Sequence, residues 1–281
     1  MNSSGAAAGL GLVSAATWGG SDFVGGLGAR RSPALLVAAS GHIFSVLVLL
    51  AICLGIHLPL PASRYLFYAA LGGFEGSIAL AIFYRALAMG TMGLTAALTG
   101  LLTALIPVLF SLIHDGLPTP LTAAGLAMGL LAIWLITRSP AVGGANTPPT
   151  ALLLATLAGI GFGTQLTLFK FANPGGILWT LTSARAAGSI SLILVIVAIP
   201  PKGKWDGFWL TGIAAGALDT IGILFFLRAT QIGRLDVAAL VCSLYPAGTI
   251  LLAALLLHEW PSRRQFAGIA LALAAVALLS V

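Results

Sequence analysis

A helix needs roughly 20 consecutive apolar residues to cross a hydrocarbon core of about 30 Å. This chain holds ten such runs, near 5–28, 33–56, 65–88, 93–114, 121–137, 150–172, 177–199, 208–230, 235–257 and 265–281. They use up nearly all of its 281 residues, of which 59% are hydrophobic and 7% charged. What lies between them is short and rich in turn or charge signals, as in Arg30-Arg31-Ser32-Pro33 and Asn173-Pro174-Gly175-Gly176. The runs are continuously apolar and too long for barrel strands, so the expected fold is an all-α integral membrane protein with ten transmembrane helices. The longest break, 138–149, reads as a linker between 1–137 and 150–281.

Composition excludes several functions. The formal charge of +6 comes from 13 basic and 7 acidic residues, mostly at run ends, which is ordinary for membrane loops and no footprint for nucleic acid. Cys53 and Cys242 each fall inside a run, far apart, with no disulfide or metal spacing. No GxxxxGK[ST], GxSxG or HExxH stretch occurs, so neither an ATP motor nor a hydrolytic or metal centre is expected, and no cofactor. The leader Met1-Asn2-Ser3-Ser4 has no Lys or Arg, and the run after it exceeds a signal-peptide core, so it reads as a first helix.

The two halves repeat one another. YRALAMG, ending at Gly90, matches LRATQIG, ending at Gly233, 143 positions on; His114-Asp115 matches His258-Glu259 at 144, and Gly125 with Gly129 matches Gly268 with Ala272 at 143. Each copy has five spans, so the second must enter the membrane upside down. Two inverted five-helix repeats around a central cavity are the architecture of secondary transporters, which expose a midplane site to each side in turn. A channel is the rival reading.

The opening ATWGGSDF, the RA-x-x-x-G pattern at Arg85 to Gly90 and again at Arg228 to Gly233, and LYP followed by LLLHEW-x-x-x-x-Q at Leu244 to Gln265 add to the five-plus-five layout. In these the chain resembles the EamA branch of the drug/metabolite transporter superfamily, its second half more closely than its first. The resemblance implies a carrier of the bacterial inner membrane, without enzymatic activity, that exports or facilitates movement of small metabolites, commonly amino acids and among them aromatic ones. Surrounding lipid and a small-molecule substrate are the expected partners, and a monomer the expected state. The superfamily is usually drawn with both termini cytoplasmic; the basic residues near run ends, eight on one face against four on the other, favour termini outside.

Charged and polar residues within spans are costly and tend to face a cavity or a partner. His42 maps onto Arg185 and Asp22 onto Gln165 at 143, while Glu75 maps onto Asp219 at 144. An amino acid needs donors for its carboxylate, an acceptor for its ammonium and an apolar or aromatic wall. The planar fork of Arg185 suits the first; Asp22, Glu75 or Asp219 suits the second, and these acids are also candidates to carry a coupling proton. Helical rise places Arg185 and Asp219 at similar depth, so an ion pair between them is the structural alternative, as it is for His42 with Glu75. Trp18 shares a helix face with Asp22, and Tyr245, beside Ser243 and Pro246, projects from a bend; Tyr84 is the weaker wall candidate. Asp22 is expected about 9 Å below the surface, lining the cavity mouth or wall. Pro107 and Pro246 fall inside spans, where a proline bends the helix and becomes a candidate gate.

Overall fold

The computed structural model describes residues 3–137, 147–203, 205–257, 260 and 262–279. Most of the linker, with Arg138, and also Lys204, His258 and Glu259 lie outside the described residues. The described residues form helices with no strand: α1 Ser3–Arg31, α2 Ala34–Gly55, α3 Ser63–Met89, α4 Met92–His114, α5 Pro120–Thr137, α6 Pro149–Ala172, α7 Ile177–Ala198, α8 Phe208–Ile232, α9 Leu235–Cys242, α10 Tyr245–Leu257 and α11 Arg263–Leu279.

The stops follow the turn chemistry of the sequence. Pro33 stands at the N-cap of α2, and Pro149 opens α6, where a missing N–H costs nothing. Between α6 and α7 a single 3₁₀ turn, Asn173–Gly175, leads to Gly176 at φ 94°, a left-handed backbone that glycine takes without steric cost.

Among the described residues, seven segments are long and apolar enough to cross a membrane: α2, α3, α4, α6 with its 3₁₀ turn, α7, α8, and Leu235–Leu257, which combines α9 and α10. The ten runs read from the sequence exceed this number for local reasons. The ATWGGSDF stretch dilutes the hydropathy of α1, α5 supplies only a shorter apolar helix, Pro120–Leu135, and α11 has 17 residues. Apolar side chains facing outward, such as Leu47, Ile113 and Leu194, form a surface suited to acyl chains rather than water.

Packing partners exchange between the halves. Helix α1 lies along α8, and α6 lies along α3; α2 also packs on α8, and α7 on α3; α1 meets α9 and α10, and α6 meets α4; α5 packs on α11. The tightest crossings repeat as well. A Cβ at Gly73 would overlap Ala184 O, and a Cβ at Gly216 would overlap the backbone of Gly41, residues that lie 143 positions from Gly73 and from Ala184 respectively. Between helices surrounded by lipid there is little hydrophobic drive, so close backbone approach and hydroxyl bonds supply the cohesion. Ser14 Oγ donates to Gly222 O (2.8 Å) and Ser21 Oγ to Ala215 O (2.8 Å), joining α1 to α8, while Ser77 and Ser191 share a 2.6 Å bond between α3 and α7.

Candidate functional site

Helix α1 wedges into the centre of the bundle because its glycines leave room for neighbours: Gly19 abuts α10 at Tyr245 O, and Gly25 abuts the ring of Tyr84. The helix continues to Arg31, so Asp22 sits nine residues, about 14 Å, from its end. That is deeper than the sequence suggested, and Asp22 is only 6% exposed. It faces a chamber of about 40 Å³, lined by Trp18, His42, Gln165, Arg185, Asp219 and Tyr245 among others.

The ionic centre of the chamber joins α7 to α8 and α2. Arg185 Nη2 donates to Asp219 Oδ2 at 2.7 Å, and the two side chains are 3% and 14% exposed. Arg185 Nη1 lies 3.4 Å from both ring nitrogens of His42, while Arg185 Nε is buried without a hydrogen-bond partner among the described residues. Asp22, by contrast, makes no hydrogen bond or ion pair among the described residues. Two carboxylates, Asp22 and Asp219, thus share the chamber with one guanidinium, and only Asp219 is bonded to it.

The wall is aromatic. Trp18 and Tyr245 meet edge to face at 6.3 Å between centroids, and Trp18 also packs on Phe226 at 6.1 Å. Phe83 backs Tyr245 at 6.4 Å and Phe162 at 5.7 Å. Trp18 Nε1 donates to Asp219 O at 3.3 Å, which orients the indole against α8. The Tyr245 hydroxyl is buried without a well-formed hydrogen bond among the described residues, although Thr103 lies within its electrostatic reach.

Seven of the ten residues proposed from sequence therefore converge: Trp18, Asp22, His42, Gln165, Arg185, Asp219 and Tyr245. Glu75, Tyr84 and Ser243 are absent from the lining. Glu75 does not pair with His42, whose partner is Arg185. The residues of α3 that line the chamber are Leu80 and Gly76, the latter 143 positions before Asp219; Glu75 is one place off that register, about 100° around the helix, and half-buried elsewhere. Tyr84 is buried beside Ser21, 3.4 Å from its hydroxyl. Ser243 is fully buried at the break between α9 and α10, with its Oγ unpartnered among the described residues.

Sequence reasoning missed Gly76, Leu80, Thr103, Phe162, Leu166 and Ile223 in the lining. A strict register of 143 links the missed Gly76 to Asp219 and the missed Leu80 to Ile223, just as it links Asp22 to Gln165 and His42 to Arg185, and all eight line the chamber. The prolines behave differently from one another. Helix α4 continues through Pro107, whereas the span carrying Pro246 breaks after Cys242 and restarts at Tyr245, which puts Pro246 in the first turn of α10.

Residues 149–281 match the model of the EamA-like transporter family. The match covers the half in which the sequence motifs are more complete. No curated protein matches. A solved structure titled "Crystal structure of protein" is similar over 99% of this chain and 96% of its own, with a TM-score of 0.72 at 20% identity. That likeness is one of fold.

Proposed function

We infer, from a chain whose second half matches an EamA-like transporter, that it is an alternating-access carrier of small ammonium-bearing metabolites, amino acids foremost. The observation that carries this reading is Asp22, a buried carboxylate without a partner among the described residues, set beside an aromatic wall and a partly engaged guanidinium. A substrate ammonium placed at Asp22 gives this carboxyl group the partner it lacks, and the rings of Trp18 and Tyr245 offer the ammonium their electron-rich surfaces. The substrate carboxylate takes the Nε and Nη1 side of Arg185, because Nη2 is held by Asp219. The apolar part of the substrate lies against Leu80, Phe162, Leu166 and Ile223.

A cavity of about 40 Å³ has room for water but not for an amino acid, so loading requires helices to part. This favours a carrier over a standing pore. The exchange of packing partners between the halves supports two inverted repeats, 1–137 and 150–281, that rock about the chamber. The contact between His42 and Arg185, themselves equivalent positions, supports a pseudo-twofold axis passing near the chamber. Pro246, at the helix break, is the gating residue of this scheme, and Pro107 its less mobile counterpart.

The test is counterflow of labelled amino acids into proteoliposomes. Saturable exchange by the wild type and its loss by about tenfold or more in Asp22→Asn, with thermal stability unchanged, are expected, since a buried charged hydrogen bond contributes about 1.5–3 kcal/mol. Unitary current without saturable exchange, or full exchange by Asp22→Asn, overturns the reading.

A further inference from the structure

A second, larger cavity lies away from the chamber, where the start of α2, the later turns of α3 and the end of α7 meet. It measures about 410 Å³, and its walls include Ile78, Ile82, Leu192 and Val195. Arg85 and Lys202 stand at its rim. Both are exposed, and neither makes a hydrogen bond or ion pair among the described residues. Two unneutralised cations above an aliphatic trough, on a molecule whose outer surface is apolar, form an amphipathic site.

The duplication supplies an internal control. The residue equivalent to Arg85 is Arg228, which donates to Gln231 Oε1 at 2.9 Å, and the position equivalent to Lys202 is Pro59. Only one of the two equivalent places thus builds the cation pair. The asymmetry is not needed for packing, since both arginines lie near their helix ends and reach outward. A soluble anion would use the rim and leave the trough unfilled, while a neutral lipid would fill the trough and leave the cations uncompensated.

We propose that this groove holds one anionic glycerophospholipid. Its phosphodiester lies between Arg85 and Lys202, and an acyl chain runs along α3 and α7 past Ile82 and Leu192. The site is independent of the substrate reading, because none of these residues lines the chamber.

Native mass spectrometry of the detergent-solubilised full chain, supplied with equal amounts of phosphatidylglycerol and phosphatidylcholine, tests it. The wild type should retain phosphatidylglycerol preferentially, and R85Q/K202Q should retain it more weakly by about fivefold for each cation removed. Arg228→Gln should behave as wild type, and R85K/K202R should keep the preference. Ile82→Trp, which fills the trough while keeping both cations, should also lower retention, and it serves if the double variant fails to fold. Free glycerol phosphate should not displace the lipid. Equal retention of the two lipids by the wild type, undiminished retention in both R85Q/K202Q and Ile82→Trp, an equal loss in Arg228→Gln, or displacement by glycerol phosphate overturns the proposal.

Discussion

Asp22 and Asp219 are acids in the same chamber with opposite circumstances. Asp219 is held by Arg185 at 2.7 Å, so removing its charge strands a buried guanidinium. Asp219→Asn should therefore lower the stability of the purified protein by about 3–5 kcal/mol, read from thermal unfolding in detergent. A drop no larger than that of Asp22→Asn would show that the pair is not a structural bond. Gly76 makes the same point from the other side. It directly follows Glu75, yet of the two only the glycine faces the chamber, where a Cβ would overlap the amide of Gln165. In a helix, one step of register moves a side chain to another face.

At the scale of elements, the two proline-bearing spans have diverged. Helix α4 is stitched by threonines whose hydroxyls bond back one turn, Thr95 to Thr91 O, Thr99 to Thr95 O and Thr103 to Thr99 O, and it stays continuous through Pro107. The partner span is broken at Ser243 and Leu244. Pro246→Ala should slow initial counterflow by about tenfold with folding retained, and Pro107→Ala should slow it less; equal rates in both variants would remove the break from the transport cycle. Elsewhere, the ends of α4 and α6 are joined by Lys170 Nζ to Asp115 at 2.6 Å, with Arg234 nearby bonding Asp236 at 2.9 Å. Partial burial pushes the Asp115 carboxyl up, but bonds from Lys170 and Ser111 and the charges of Lys170 and Arg234 outweigh it and hold the group below its ordinary range. A lowered carboxylate pKa stabilises the fold above the unfolded value and loses that effect as pH falls through the folded one. The wild type should exceed Asp115→Asn by up to about 1 kcal/mol near neutrality, and the two unfolding midpoints should converge below about pH 4. A constant difference across that range would exclude the link.

For the whole molecule, the decisive property is which ends share a side. Ser32 Oγ donates to Asp206 O, so the end of α1 meets the start of α8, and Asp115 with Lys170 marks the opposite set of ends. Single cysteines at the exposed positions Arg31 and Gly116, with Cys53 and Cys242 replaced, should react with an impermeant maleimide from opposite sides of sealed vesicles. Labelling of both from one side would dismantle the proposed arrangement of repeats. The same experiment decides the sidedness on which the charge count and the resemblance disagree.

The residues of the chain by themselves determined that it is helical and apolar and that its second half carries EamA-like motifs, and they singled out ten polar and aromatic side chains, of which seven line the chamber. Those properties are local or periodic: a run of apolar residues, a spacing of 143, a charge too costly to leave in lipid. The tertiary structure alone decided that Arg185 takes both Asp219 and His42 while Asp22 stays unpaired, that Gly76 and not Glu75 enters the chamber, and that the second proline span breaks where the first does not. Each of these depends on helix rotation and on which backbones approach most closely, and packing between distant segments sets those quantities.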